Sequence, residues 1–195
     1  MIRNLSRARL VLGLIMLVLL AALLFVHPEP GLALAMFIGP CYAVVNNGVS
    51  ISTAITAVQY KAGTNGAAEI LRASLSQGSS ANSAPIAASL LRKTAGATVT
   101  TGVAGTTVVK QNPINPTTDA SLGTSATGIT ASAEGTNGEQ FLSDGFNDLN
   151  GQTWLPAQEE RMLVPQGGIV GLTFLAAPQS ATRYGRIAWR ELRGS

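Results

Sequence analysis

Histidine and cysteine occur once each in this chain of 195 residues, as His27 and Cys41. A single cysteine excludes an intramolecular disulfide, and a lone thiol reads by default as a small buried hydrophobe. A single histidine, lying ahead of the main body of the chain, excludes a histidine triad, a histidine metal cluster and a histidine general base in that body. Zinc asks for several Cys or His ligands, so neither a metal nor a cofactor is expected. Charge is scarce too. Only 12% of residues are Asp, Glu, Lys or Arg, about half the share of an average soluble domain, and Ala, Gly, Ser and Thr fill the difference. The net charge of +3 comes largely from Arg3, Arg7 and Arg9; past residue 35, ten Lys and Arg face nine Asp and Glu. A body so near neutrality has no clustered cationic face to neutralise phosphates, so nucleic acid is not an expected partner. The group Arg183, Arg186, Arg190 and Arg193 reads as solvated positions on a terminal strand.

What the chain does have in length is one hydrophobic run, Leu10 to Val26, 17 residues without a charge. That is at the short end of what crosses a hydrocarbon layer of roughly 30 Å. The arginines before it keep the N-terminus cytoplasmic and place residues 28–195 on the far side. His27-Pro-Glu-Pro-Gly31 then breaks the helix. Three readings of residues 1–35 stand side by side: a signal peptide cut after Ala35, where Ala33 and Ala35 have the A-x-A spacing; a retained membrane anchor through residues 10–26; and a mis-called start, with Met36 the true one. A lipoprotein cut before Cys41 is disfavoured by Gly39-Pro40.

From 36 to 195 no long run has helical spacing. Short stretches alternate at period two between Gly, Pro, Asn and Ser clusters, which is the pattern of an antiparallel all-β domain. The spacing predicts strands at Ile51–Tyr60; at Glu69–Leu75, with Leu71, Ala73 and Leu75 on one face; at Gly96–Lys110, bent at its glycines; and at Ile129–Glu134. Pro85–Thr94 fits a strand or a short helix. Phe141–Trp154 carries an Asn150-Gly151 hairpin signal. Arg161–Val164, Ile169–Ala176 and Arg183–Leu192 complete the set, the last with Ile187 and Trp189 facing opposite to Tyr184, Arg186 and Arg190. Residues 111–128, with Asn112-Pro113 and Asn115-Pro116, read as a long loop or an arm reaching onto a neighbouring subunit. The expected fold is an antiparallel β-sandwich, jelly-roll-like, preceded by an N-terminal hydrophobic helix.

Acidic pairs are the chemistry left to weigh. Glu159-Glu160 and Asp144 with Asp148 are the clusters a glycosidase-like mechanism would draw on, but neighbouring strand residues point to opposite faces and an Asp pair among Gly and Asn is ordinary turn chemistry. Asp144-Gly-Phe-Asn-Asp148 lacks the spacing and closing Glu of a calcium loop. Gly102 to Gly105 is not followed by the Lys and Ser/Thr of a phosphate cradle. Trp154 and Trp189 read as core plugs rather than ligand platforms. No catalytic, cofactor-binding or metal-binding residue is assigned.

Several segments carry a resemblance: Val49-Ser-Ile-Ser with Val58-Gln-Tyr-Lys-Ala-Gly63, Glu69-Ile-Leu-Arg72, Phe146-Asn-Asp-Leu-Asn-Gly151 running into Trp154-Leu-Pro156, and Ile187-Ala-Trp-Arg-Glu-Leu192. From about Tyr42 to Leu192 the chain resembles small structural proteins of tailed bacteriophages and prophages of Proteobacteria, of capsid-decoration or minor virion type. Those begin where Met36 stands, so the leader is a departure. The resemblance implies a non-enzymatic virion protein that self-associates, with a trimer favoured, and docks on major capsid or other virion proteins. The alternative from another class is a secreted or membrane-anchored surface domain that binds carbohydrate or a host protein; a glycan-cleaving enzyme comes third.

Overall fold

The computed structural model describes residues 39–78, 84–147 and 149–193. Of its two compact units, Met1–Ile38 and Gly39–Ser195, the described residues all belong to the second. The leader, its hydrophobic helix and His27 lie outside the described residues, as does Asp148. Among the described residues no helix is long and apolar enough to cross a membrane.

The second unit is all-β. Its strands are β1 (Cys41–Ile51), β2 (Thr56–Lys61), β3 (Gly66–Gln77), β4 (Pro85–Lys93), β5 (Thr98–Thr101), β6 (Val108–Lys110), β7 (Gly128–Ala133), β8 (Asn137–Asn147), β9 (Gln152–Trp154), β10 (Leu163–Val164), β11 (Ile169–Phe174) and β12 (Ala181–Arg193). One 3-10 turn at Gln158–Glu160 interrupts them. The strands form two antiparallel sheets. The first runs β10-β3-β12-β1-β6, with β9 also on β3; the second runs β5-β7-β2-β11-β4-β8.

The sheets share one core, to which the first contributes Val44, Ile70, Leu75 and Ile187 and the second Val58, Leu90, Leu172 and Phe174. At its centre Trp189 of β12, 0% exposed, lies 4.3 Å from the Tyr60 ring of β2 and 5.9 Å from that of Tyr42 on β1. Trp189 plugs the core, and Trp154 is buried as well, packing edge-on against Phe146 at 6.4 Å while also lining a groove. Ile187 and Trp189 are buried while Tyr184 is 43% exposed, the alternation read for the final strand.

Five expectations need correction or completion. Ile51–Tyr60 is not one strand: Ile51 ends β1 in the first sheet, and after residues 52–55 Thr56 opens β2 in the second. Period-two alternation looks the same on both sides of such a corner. In β3 the inward set is Ala68, Ile70, Ala73 and Leu75, not Leu71. Opposite β12 the register passes from Ala188↔Arg72 to Trp189↔Ile70, so Leu71 is the extra residue of a bulge and the phase slips there. Pro85–Thr94 takes the strand form as β4. Gly96–Lys110 divides into β5 and β6, which join different sheets. Asn150-Gly151 does not close a hairpin, because β8 pairs with β4 and β9 with β3; the turn carries the chain between sheets. Gly151 has φ +63°, and a Cβ there would stand 2.8 Å from the Leu75 carbonyl oxygen, so a left-handed glycine is required.

The long loop spans residues 111–127, Gly128 opening β7, and it lies against its own domain. Asn115 Nδ2 donates to Cys41 O (2.8 Å), Tyr42 Oη to Pro116 O (2.9 Å), Asp119 N to Glu191 Oε1 (2.7 Å) and Ser121 N to Lys61 O (3.1 Å). Asn115, Ala120, Ala126 and Thr127 are buried. The arm alternative rests on the segment's having little apolar surface to offset its ordering entropy. Hydrogen bonds between backbone and buried polar side chains supply the tether instead.

Replacing Trp189 with Ala should destabilise the protein by about 3–5 kcal/mol, whereas Tyr184→Ala should stay within about 0.5 kcal/mol. Chemical denaturation followed by far-ultraviolet circular dichroism measures both, and equal costs would contradict this account of the core.

Candidate functional site

One open concavity follows from the sheet-to-sheet turn. Because β8 lies at the end of the second sheet and β9 beside β3 of the first, the chain between and after them frames a groove of about 560 Å³. Phe141, Leu142 and Asp144 line it from β8, and Gln152, Thr153 and Trp154 from β9; Leu155, Pro156 and Glu160 close it. Gln152 Nε2 donates to Asp144 Oδ2 at 3.1 Å. Leu155 is 74% exposed at the rim. Two of the acidic residues weighed from sequence, Asp144 and Glu160, therefore share one groove although they lie in different elements, and Glu159 is not among its lining residues. What the groove offers is hydrogen-bond acceptors and an amide beside an apolar ledge, a surface suited to binding hydroxyl-rich or peptide groups.

The other sequence candidates are placed as follows. The backbone N–H groups of Thr106, Thr107 and Val108 in the Gly102–Gly105 turn region all donate to Val103 O, so they are consumed within the turn instead of facing a phosphate. No group of three or more His, Cys, Asp or Glu side chains among the described residues is arranged to hold a metal. The C-terminal arginines do not behave as one solvated group. Arg183 is 1% exposed, stacks 5.6 Å from the Phe174 ring and donates to Gln179 O at 2.8 Å; burial lowers its pKa. Arg190 donates through Nε to Glu69 Oε2 at 2.9 Å and also through Nη2, while Arg161 reaches Glu69 Oε1 at 3.3 Å. Such arginines anchor side chains within the fold, and period-two spacing alone could not distinguish an inward from an outward one.

Cys41 opens β1 beside this Glu69 cluster, half-buried, its Sγ donating to Gly39 O at 3.7 Å. Burial pushes its thiol pKa up from 9.0, against the opposing pull of Arg190. Burial therefore favours the thiol over the thiolate, which is the nucleophilic species.

One cluster escaped the sequence reading. Lys93, at the end of β4, has a fully buried side chain whose Nζ donates to Glu134 Oε2 (2.8 Å) and Asn137 Oδ1 (2.7 Å). Thr56 holds the same carboxylate through its backbone N–H and through Oγ1 at 2.9 Å, and Thr56 Oγ1 is 2.9 Å from Thr173 Oγ1. Glu134 and Asn137 are 41 and 44 positions from Lys93, and a lysine ending an apolar strand carries no signal of burial by itself.

Comparisons with protein-family models, with characterised proteins and with solved structures find no match.

Thiolate is the species that alkylates, so iodoacetamide should label folded Cys41 at pH 7 at least about 10-fold more slowly than the urea-unfolded chain. The folded rate should still be rising with pH above 9.0, because the folded pKa lies above that value. Labelling by mass spectrometry checks this; a folded rate that levels off below pH 9 would contradict it.

Proposed function

We propose that this chain is a non-enzymatic structural protein that self-associates, with a trimer favoured, and docks on a larger lattice as a capsid-decoration or minor component of a virion. The observation that carries this reading is β8. It is an 11-residue strand at the end of the second sheet, with mostly exposed side chains and no strand on its outer side among the described residues. A long uncovered edge offers a row of backbone donors and acceptors to another chain, and proteins that stay monomeric blunt such edges. Leu155, Leu163 and Val103, all more than half exposed, add apolar contact points, and the low-charge surface suits interface cores, which are depleted in charge.

The sandwich is read as a jelly roll. Each sheet interleaves early and late strands, β3-β12-β1 in one and β2-β11-β4 in the other, the order produced when a long antiparallel ribbon folds over into two sheets. A second reading, an exported or membrane-anchored surface domain binding carbohydrate or a host protein, draws on the groove that holds Asp144, Gln152 and Glu160.

Light scattering of the protein with its native N-terminus should give an oligomer mass. Combining Leu155→Asp with Leu163→Asp should lower that mass while circular dichroism stays unchanged. A monomer at high concentration, together with glycan binding abolished by Asp144→Ala, would replace the assembly reading with the surface-domain one.

A further inference from the structure

The Lys93 cluster places an amine against an amide in a fixed geometry. Lys93 and Asn137 are cross-strand partners in the β4–β8 pairing. Just beyond them, Thr94 N donates to Thr136 O at 2.9 Å and Thr136 N to Ala95 O at 3.1 Å, so the backbone on both sides of the pair is tied. Gly171 on β11 keeps the path of the lysine stem open: a Cβ there would stand 2.5 Å from Lys93 Cε. At the end of that stem Nζ is 2.7 Å from the Asn137 amide oxygen and 2.8 Å from Glu134 Oε2. The amide carbon is one bond beyond that oxygen. Rotation about the terminal torsion of asparagine, which is broad, turns its carbonyl face toward Nζ.

A plain ion pair needs only Glu134. The arrangement here supplies all three parts of an amide exchange: a nucleophilic nitrogen, an electrophilic carbon, and a carboxylate that touches the nitrogen and is itself anchored by Thr56. Reactants held in contact in this way react as though at very high concentration.

We propose that Lys93 and Asn137 become joined by an intramolecular isopeptide bond, with Glu134 as the proton carrier. Glu134 Oε2 takes a proton from the Lys93 ammonium, and the freed lone pair on Nζ attacks Asn137 Cγ. The Nζ–Cγ bond forms and the Cγ–Nδ2 bond breaks. Glu134 passes the proton, and a second one released by Nζ, to Nδ2, which departs as ammonium. Nothing is oxidised or reduced, and no co-reactant is consumed. Asn137 is exposed, which gives the ammonium a way out. The product rivets the end of β4 to the start of β8, the long edge strand. This proposal stands on the chain's own residues and does not depend on the assembly role.

The test is mass spectrometry of the purified full chain after trypsin digestion. The expected result is resistance to cleavage after Lys93 and a linked pair of peptides, 93–110 with 111–161, about 17 Da lighter than their sum, the mass of one ammonia. Lys93→Met, Asn137→Ala and Glu134→Gln should each abolish the link, the last with both partners still present; these masses can be read whether or not a variant folds. Cleavage after Lys93 with unmodified masses in the wild-type protein would overturn the proposal. So would a free Lys93 with Asn137 about 1 Da heavier, the mark of deamidation at Asn137-Gly138. A link that survives in Glu134→Gln would overturn the role given to Glu134.

Discussion

Trp189 sits between Tyr42 of its neighbouring strand and Tyr60 of the facing sheet, and most of the architecture can be traced outward from that stack. Few residues in this chain are large enough to span the gap of about 10 Å between packed sheets; aromatics make up only 5%. The indole therefore has to reach the centre from the middle of the first sheet, where β12 lies between β1 and β3. The bulge at Leu71 belongs to the same constraint. It lets Ile70, opposite Trp189, and Ala73, opposite Ile187, both face the core, which a strand of strict alternation would not allow.

With so few charges, the chain relies on amides and hydroxyls to order what the core does not hold. Gln59, fully buried, donates from Nε2 to Ala126 O at 2.7 Å and accepts from Ala97 N at 2.9 Å, so one side chain ties β2 to two loops. The 111–127 loop is tethered by the same kind of bond. Such contacts are individually modest, about 1 kcal/mol each, yet leaving any of these buried groups unpaired would cost more than the bond contributes. Among the buried charges Glu69 pairs with Arg161 and Arg190 and Lys93 with Glu134, while Arg183 donates to Gln179 O and Glu191 accepts from Thr118 and Asp119.

The surface left over is uneven. Among the described residues one sheet ends in a long edge strand with no strand on its outer side, and beside it runs a groove lined by Trp154 and Leu155. Both lie where the chain passes from the second sheet to the first, a crossing that has to leave the edge of a sheet and so exposes backbone and apolar side chains together. An edge open to strand pairing and a groove able to take a small ligand suit different partners, and the proposed assembly role draws on the first.

The sequence by itself determined the all-β class, the strands from Ile169 onward, the facing of Ile187 and Trp189, and the loop at 111–127, because period-two alternation and Gly/Pro punctuation are local properties. Only the tertiary structure decided that Ile51–Tyr60 turns a corner between sheets, that Leu71 is an extra residue, that Asn150-Gly151 crosses instead of closing a hairpin, and that Arg183 points inward. Alternation has the same appearance in either sheet and on either side of a bulge, so strand identity is settled by which partner buries it. The meeting of Lys93, Glu134 and Asn137 was likewise beyond the sequence, since nothing local to any of the three specifies the other two; the pairing of β4 with β8 and the approach of Thr56 bring them together.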